Sequence, residues 1–168
     1  LPVTFYASMD QLPPFGDYSM ADRTYRYFRG KPLYPFGFGL SYTRFSYRAL
    51  ELSAREVRAG EGIEVRVTVE NAGGLPGDEV VQVYLRDLAA SAPVPIRKLA
   101  GFRRIRIEPR EVRTERFEIT ARDQSFIDDR GQRVLEPGEF LLSAGGGQGD
   151  PRSLELGAAA SLTARFTV

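Results

Sequence analysis

From residue 45 onward, apolar and polar side chains alternate with the period of a β-strand. In IEVRVTVEN, Ile63, Val65, Val67 and Val69 point one way and Glu64, Arg66, Thr68 and Glu70 the other, the pattern of a strand buried on one face. The turn cluster NAGGLPGD follows, and EVVQVYLRD resumes with Val81, Val83 and Leu85 on one side. GFRRIRIEP turns Ile105 and Ile107 inward and Arg104 and Arg106 outward, and TERFEIT sets Phe117 and Ile119 against charged neighbours. GEFLLSAGG alternates Phe140, Leu142 and Ala144, and SLTARFTV closes with Leu162, Ala164, Phe166 and Val168. DDRGQRV has the composition of a tight turn. With FSYRALELS at 45–53, at least seven short strands are predicted, and no long amphipathic helix interrupts them.

Short strands at this spacing predict an all-β fold, an antiparallel β-sandwich of the immunoglobulin or fibronectin type III kind. Residues 1–44 read differently. Of the 19 aromatic residues, 13 fall within residues 1–47, together with Pro2, Pro13, Pro14, Pro32 and Pro35. This leading region predicts only a short strand at Leu1–Tyr6 and a helical turn near Met20–Tyr25. It offers no opposing layer for its aromatics to cover, so they are expected to pack on something outside the chain. Its last stretch, YPFGFGLSY, has neither a helical nor a strand period. It reads as a connector whose interface candidates are Tyr34, Phe36, Gly37, Phe38, Gly39 and Tyr42. The two glycines would let the backbone turn and approach a neighbour. Phe36, Phe38 and Tyr42 would bury either against another domain or as a local cluster on the sandwich edge.

Composition narrows the chemistry. A net charge of +1 gives no general nucleic-acid or membrane-surface character. With neither cysteine nor histidine, disulfides, Ser-His-Asp triads and His-ligated metals cannot be built from this chain alone. No cofactor or metal site is expected. There is no signal peptide and no apolar run long enough to span a bilayer. The opening LPVTFY lacks an initiator Met and reads as the interior of a longer protein, which leaves localisation open.

Several motifs reduce to simpler roles. FGFG and GGGQGD lack the Gly-Lys-Ser/Thr ending of a phosphate loop. RTYRYFRGK interleaves basic and aromatic residues but reads as packing aromatics with snorkelling arginines. Asp10, Asp17, Asp22, Asp128 and Asp129 lie on turns, whereas a glycosidase pair needs two carboxylates held on a rigid scaffold beside a pocket. Only Tyr84 among the tyrosines lies beyond residue 47, and there is no Trp, so an autonomous sugar platform is not expected.

LPVTFY, LPPFGDYSM, RTYRYF and YPFGFGLSY, followed by NAGGLPGDEVVQVYLRD, PIRKLAGFRRI and VLEPGEFLLSAGG, resemble in order and spacing the C-terminal part of glycoside hydrolase family 3. This family comprises β-glucosidases and β-xylosidases, and LPPFGDYSM with RTYRYF leans toward the β-xylosidase-like branch. The resemblance implies that 1–31 end an α/β sandwich domain, that 32–44 are a connector, and that 45–168 form a fibronectin type III-like domain. In the family the nucleophile is an Asp of a preceding barrel and the acid/base a Glu of the α/β sandwich. Neither motif occurs here, so no catalytic residue carries over. The implied partners are the barrel and α/β sandwich domains of the same parent protein, with an oligo- or polysaccharide reached through them. A periplasmic or extracellular parent is compatible with the resemblance. The alternative from another class is a freestanding polysaccharide- or protein-binding module.

Overall fold

The computed structural model describes residues 1–168. A 3-10 turn at Met9–Gln11 precedes three short α-helices and nine strands, in order: α1 (Thr24–Tyr27), β1 (Phe45–Leu52), β2 (Ile63–Asn71), β3 (Gly77–Asp87), β4 (Lys98–Ile107), β5 (Val112–Ile119), α2 (Ala121–Gln124), β6 (Phe126–Ile127), β7 (Arg133–Val134), β8 (Glu139–Gly145), α3 (Pro151–Glu155) and β9 (Leu162–Thr167). One sheet has the order β1-β2-β5 and the other β4-β3-β8-β9, with β6-β7 as a separate hairpin. Every paired neighbour is antiparallel. The result is an all-β sandwich.

The two inner faces meet in one core. Ile63, Val65, Val67 and Val69 of β2 interlock with Val81, Val83 and Leu85 of β3, Ile105 and Ile107 of β4, and Phe140, Leu142 and Ala144 of β8. Phe117 and Ile119 come from β5 and Phe166 from β9. Each fully buried Val, Ile, Leu or Phe contributes about 1.5–3 kcal/mol, which is why the alternation in these stretches holds so strictly. Asp128 performs turn chemistry: its Oδ1 accepts from the Arg130 and Gln132 amides, and Gly131 takes the left-handed position at φ +74°.

The leading segment departs from its sequence expectations. Leu1–Tyr6 is not a strand. Phe5 alone makes a bridge, to Tyr34, because no other strand in the chain lies beside it and Pro2 has no N–H to give. The helical turn forms at 24–27 rather than 20–25, since Asp22 and Thr24 adopt positive φ of 54° and break a helix begun earlier.

Candidate functional site

β3 is buried on both faces. Val81, Val83 and Leu85 face the core, but the opposite-facing Gln82 and Tyr84 are only 5% and 1% exposed. The connector covers them. Gln82 Nε2 donates to Gly37 O at 3.2 Å and to Gly146 O at 2.9 Å, and Tyr84 Oη donates to Gln82 Oε1 at 2.6 Å. Gly37 sits at φ +80°, and a Cβ there would collide with Gln82 Oε1 and lie 2.9 Å from the Tyr84 hydroxyl. Only glycine satisfies both the backbone angle and this approach.

The aromatics of the leading segment are therefore layered on the sheet. Tyr25 stacks on Phe36 with ring centroids 4.1 Å apart and meets Tyr84 edge-on at 6.1 Å. A bulge in β4, at Ala100, shifts the register between Val83 and Tyr84. It leaves the Leu99 amide free to donate to Tyr25 Oη at 3.0 Å, the re-aiming that bulges provide. Next to it the Ile96 amide donates to Arg26 O at 2.7 Å. Tyr34 stacks on Phe38, and Phe5 packs edge-on against Tyr34. α3 ties down the same segment, with Arg152 Nε donating to Leu33 O at 3.3 Å and Glu155 paired with Lys31 at 2.6 Å. α3 is itself held by Asp150, whose Oδ1 accepts from the Ser153 amide.

The six connector candidates thus part company. Phe36 and Gly37 lie on the sheet, and Phe38 is 5% exposed within this chain, so its burial does not wait for another domain. Tyr34 is partly exposed. Gly39 has open space around it and no positive φ, so nothing in this chain demands glycine there. Tyr42 is 99% exposed, and Phe15, Tyr18 and Leu40 are nearly as bare. The sequence did not single out Gln82, Tyr84, Tyr25 or Leu99. The available signal was VVQVYL at 80–85, which carries no charge on either face, as strands covered on both sides do.

One further carboxylate belongs to this site. Glu79 shares the inward parity of Val81, and Tyr47 Oη on β1 donates to its Oε1 at 2.9 Å. Burial pushes the Glu79 carboxyl above its usual range, partly offset by that hydrogen bond, and burial beside Glu79 pushes the Tyr47 hydroxyl up. Glu79 borders a cavity of about 410 Å³ between the connector and the sheet. Elsewhere, a backbone hydrogen bond from Ser19 holds Asp17 below the usual carboxylate range, and no three acidic side chains converge as a metal site would require.

Residues 79–148, from Glu79 through β8 and the loop after it, match the family model described as "Fibronectin type III-like domain". A β-xylosidase of Formosa agariphila is 38% identical over 146 residues, covering 86% of this chain and 19% of that protein. The chain is homologous to a part of glycoside hydrolase family 3 enzymes. A solved β-glucosidase from Erythrobacter marinus superposes on 98% of the chain and 21% of its own, with a TM-score of 0.78 at 33% identity. One from Kluyveromyces marxianus covers 99% of this chain and 20% of its own, with a TM-score of 0.79 at 28% identity. The chain therefore spans about a fifth of the length of the relatives it matches. The fibronectin type III-like domain and the segment docked on it fit a C-terminal domain of such enzymes.

Proposed function

We propose that this chain is the C-terminal structural portion of a retaining β-glycosidase, a β-xylosidase or β-glucosidase. It buttresses the catalytic domains and supplies no catalytic residue. The observation that carries this reading is a contrast at the joint. Tyr25, Phe36 and Phe38 are sealed onto the outer face of β3, while Phe15, Tyr18, Leu40 and Tyr42 are left bare. A rigid platform fringed with unpacked apolar side chains is built to receive another surface.

The chemistry of the parent would be a double displacement between two carboxylates outside this chain. The contribution of this chain is placement, since a displacement of about 1 Å can cost on the order of a hundredfold in rate. The reading is tested by assaying the purified chain on aryl β-xyloside and aryl β-glucoside. No turnover is expected. Turnover lost on replacing a carboxylate of this chain would overturn it.

A further inference from the structure

A second cavity, of about 400 Å³, opens where the stretch 28–32 faces Arg97 and α3. It lies at the Thr4 end of the contact between residues 1–6 and 33–38, the end opposite Leu1, which pairs with Gly37 and Phe38. Its lining carries more cations than anions: Arg29, Lys31, Arg97 and Arg152 against Asp150 and Glu155. Neither carboxylate is free to balance the surplus. Glu155 Oε2 already takes both Lys31 at 2.6 Å and Arg152 at 3.0 Å. Asp150 is committed to the amide and hydroxyl of Ser153 and to the Gln148 amide. Two guanidiniums are left without an ion pair. Arg97 is half-buried and donates only to the Gln148 carbonyl, and Arg29 has no hydrogen bond or ion pair in the chain. Burial pulls the Arg97 guanidinium below its usual range, partly offset by the charge of Asp150. A cation withdrawn from water without a counter-ion is costly, and an oxyanion placed here would relieve that cost. A second observation is independent of charge. Thr4 and Gln148 also line the cavity, each is 8% exposed, and Thr4 Oγ1 and Gln148 Oε1 have no hydrogen-bond partner.

We propose that this cavity binds a sugar acid, a uronate or an aldonate, through Arg29 and Arg97. The planar guanidinium fork matches a carboxylate with two parallel N–H···O bonds. The unpartnered oxygens of Thr4 and Gln148 suit a ligand that brings hydroxyl donors as well. The volume is that of a small-molecule site, which runs from roughly 300 to 1,000 Å³. That the ligand is a sugar rests on the proposed function above. That it is an anion rests on the cavity alone.

The probes are methyl β-D-glucuronide and sodium D-gluconate, each titrated into the isotope-labelled chain and followed through backbone amide shifts. Saturable shifts are expected at Gly30, Lys31, Arg97 and Gln148, and the tighter of the two ligands assigns the site to a ring or to an open-chain acid. Arg97→Gln is expected to weaken binding about tenfold. Arg29→Gln should weaken it about threefold while leaving the remaining amide spectrum unchanged. The Arg29 side chain has no partner in this chain, so its loss cannot act through a folding defect. Absence of saturable shifts with both acids, or unchanged affinity in either variant, would overturn the proposal. Equal affinity for the neutral methyl β-D-glucoside would overturn the anion site. Equal affinity for acetate would overturn the sugar acid and leave the proposed function standing. Turnover by the chain would overturn the proposed function and leave the titrations standing, so the two readings can fail separately.

Discussion

At Gly37 a left-handed backbone angle of +80° coincides with the closest approach of the connector to Gln82 and Tyr84. Gly37→Ala is therefore expected to destabilise the chain by about 2 kcal/mol, from the left-handed conformation and the displaced Gln82 amide together. Urea unfolding of the two proteins measures it. The same substitution at Gly39, where a Cβ meets open space, should leave the isolated chain unchanged. Phe38→Ala should cost about 3–5 kcal/mol in this chain alone, because its ring is already buried here. Of the two sequence readings of Phe38, this is the outcome expected of a local cluster on the sandwich edge. Glu79 makes a pH-dependent contribution. Its carboxyl is pushed up by burial, so the folded state favours the protonated form. The stability from that preference is complete below the carboxyl's unfolded value and is lost as pH rises through the folded one. Glu79→Gln should therefore melt higher than the parent chain at about pH 8, with the gap closing below about pH 4. A gap that widens toward acid would contradict the assignment.

Among the elements, the segment before β1 has two stabilities. From Tyr25 to Thr43 it is held by the Leu99 and Ile96 amides, the Gln82 amide, α3 and the Thr43–Asn71 hydrogen bond at 2.6 Å. The stretch 14–23 is held mostly by itself. Arg23 binds the carbonyls of Pro14, Asp17 and Ser19, and Phe15 and Tyr18 project outward. Local opening should start in the second stretch, which buries few apolar contacts. Limited chymotrypsin digestion is expected to cut first at Phe15 or Tyr18 and to leave a fragment that retains Tyr25 and Phe36 on the sandwich. Early loss of everything before β1 would show that the layered aromatics add little.

For the whole molecule, the sandwich core and the docked segment form one platform with a bare apolar fringe, which the proposed function would make its contact with the rest of the parent. Leu40→Ala combined with Tyr42→Ala should leave the melting temperature of this chain unchanged, since both side chains are in solvent. In the parent glycosidase the same pair should lower turnover or thermal tolerance, because the truncated groups would be buried there. Equal behaviour in both contexts would remove the fringe from the interface.

The strands of this protein were determined by local pattern. An inward Ile, Val or Phe at every second position has only one way to face a core, so 63–69, 105–107 and 140–144 were legible, as was the turn around Asp128. The joint was not legible in the same way. Period tells which face a side chain takes, not what that face meets, so Gln82 and Tyr84 read as an outer surface until the connector was seen lying on them. The aromatic segment has no period, so its sorting into sealed Tyr25, Phe36 and Phe38 and bare Phe15, Tyr18 and Tyr42 came from tertiary packing alone. Glu79 shows both sides of the division. Its parity with Val81 placed it inward from the sequence. Only the fold decided that no cation would meet it there, because charge pairing depends on neighbours brought together from β1, β3 and the connector rather than on residues adjacent in the chain.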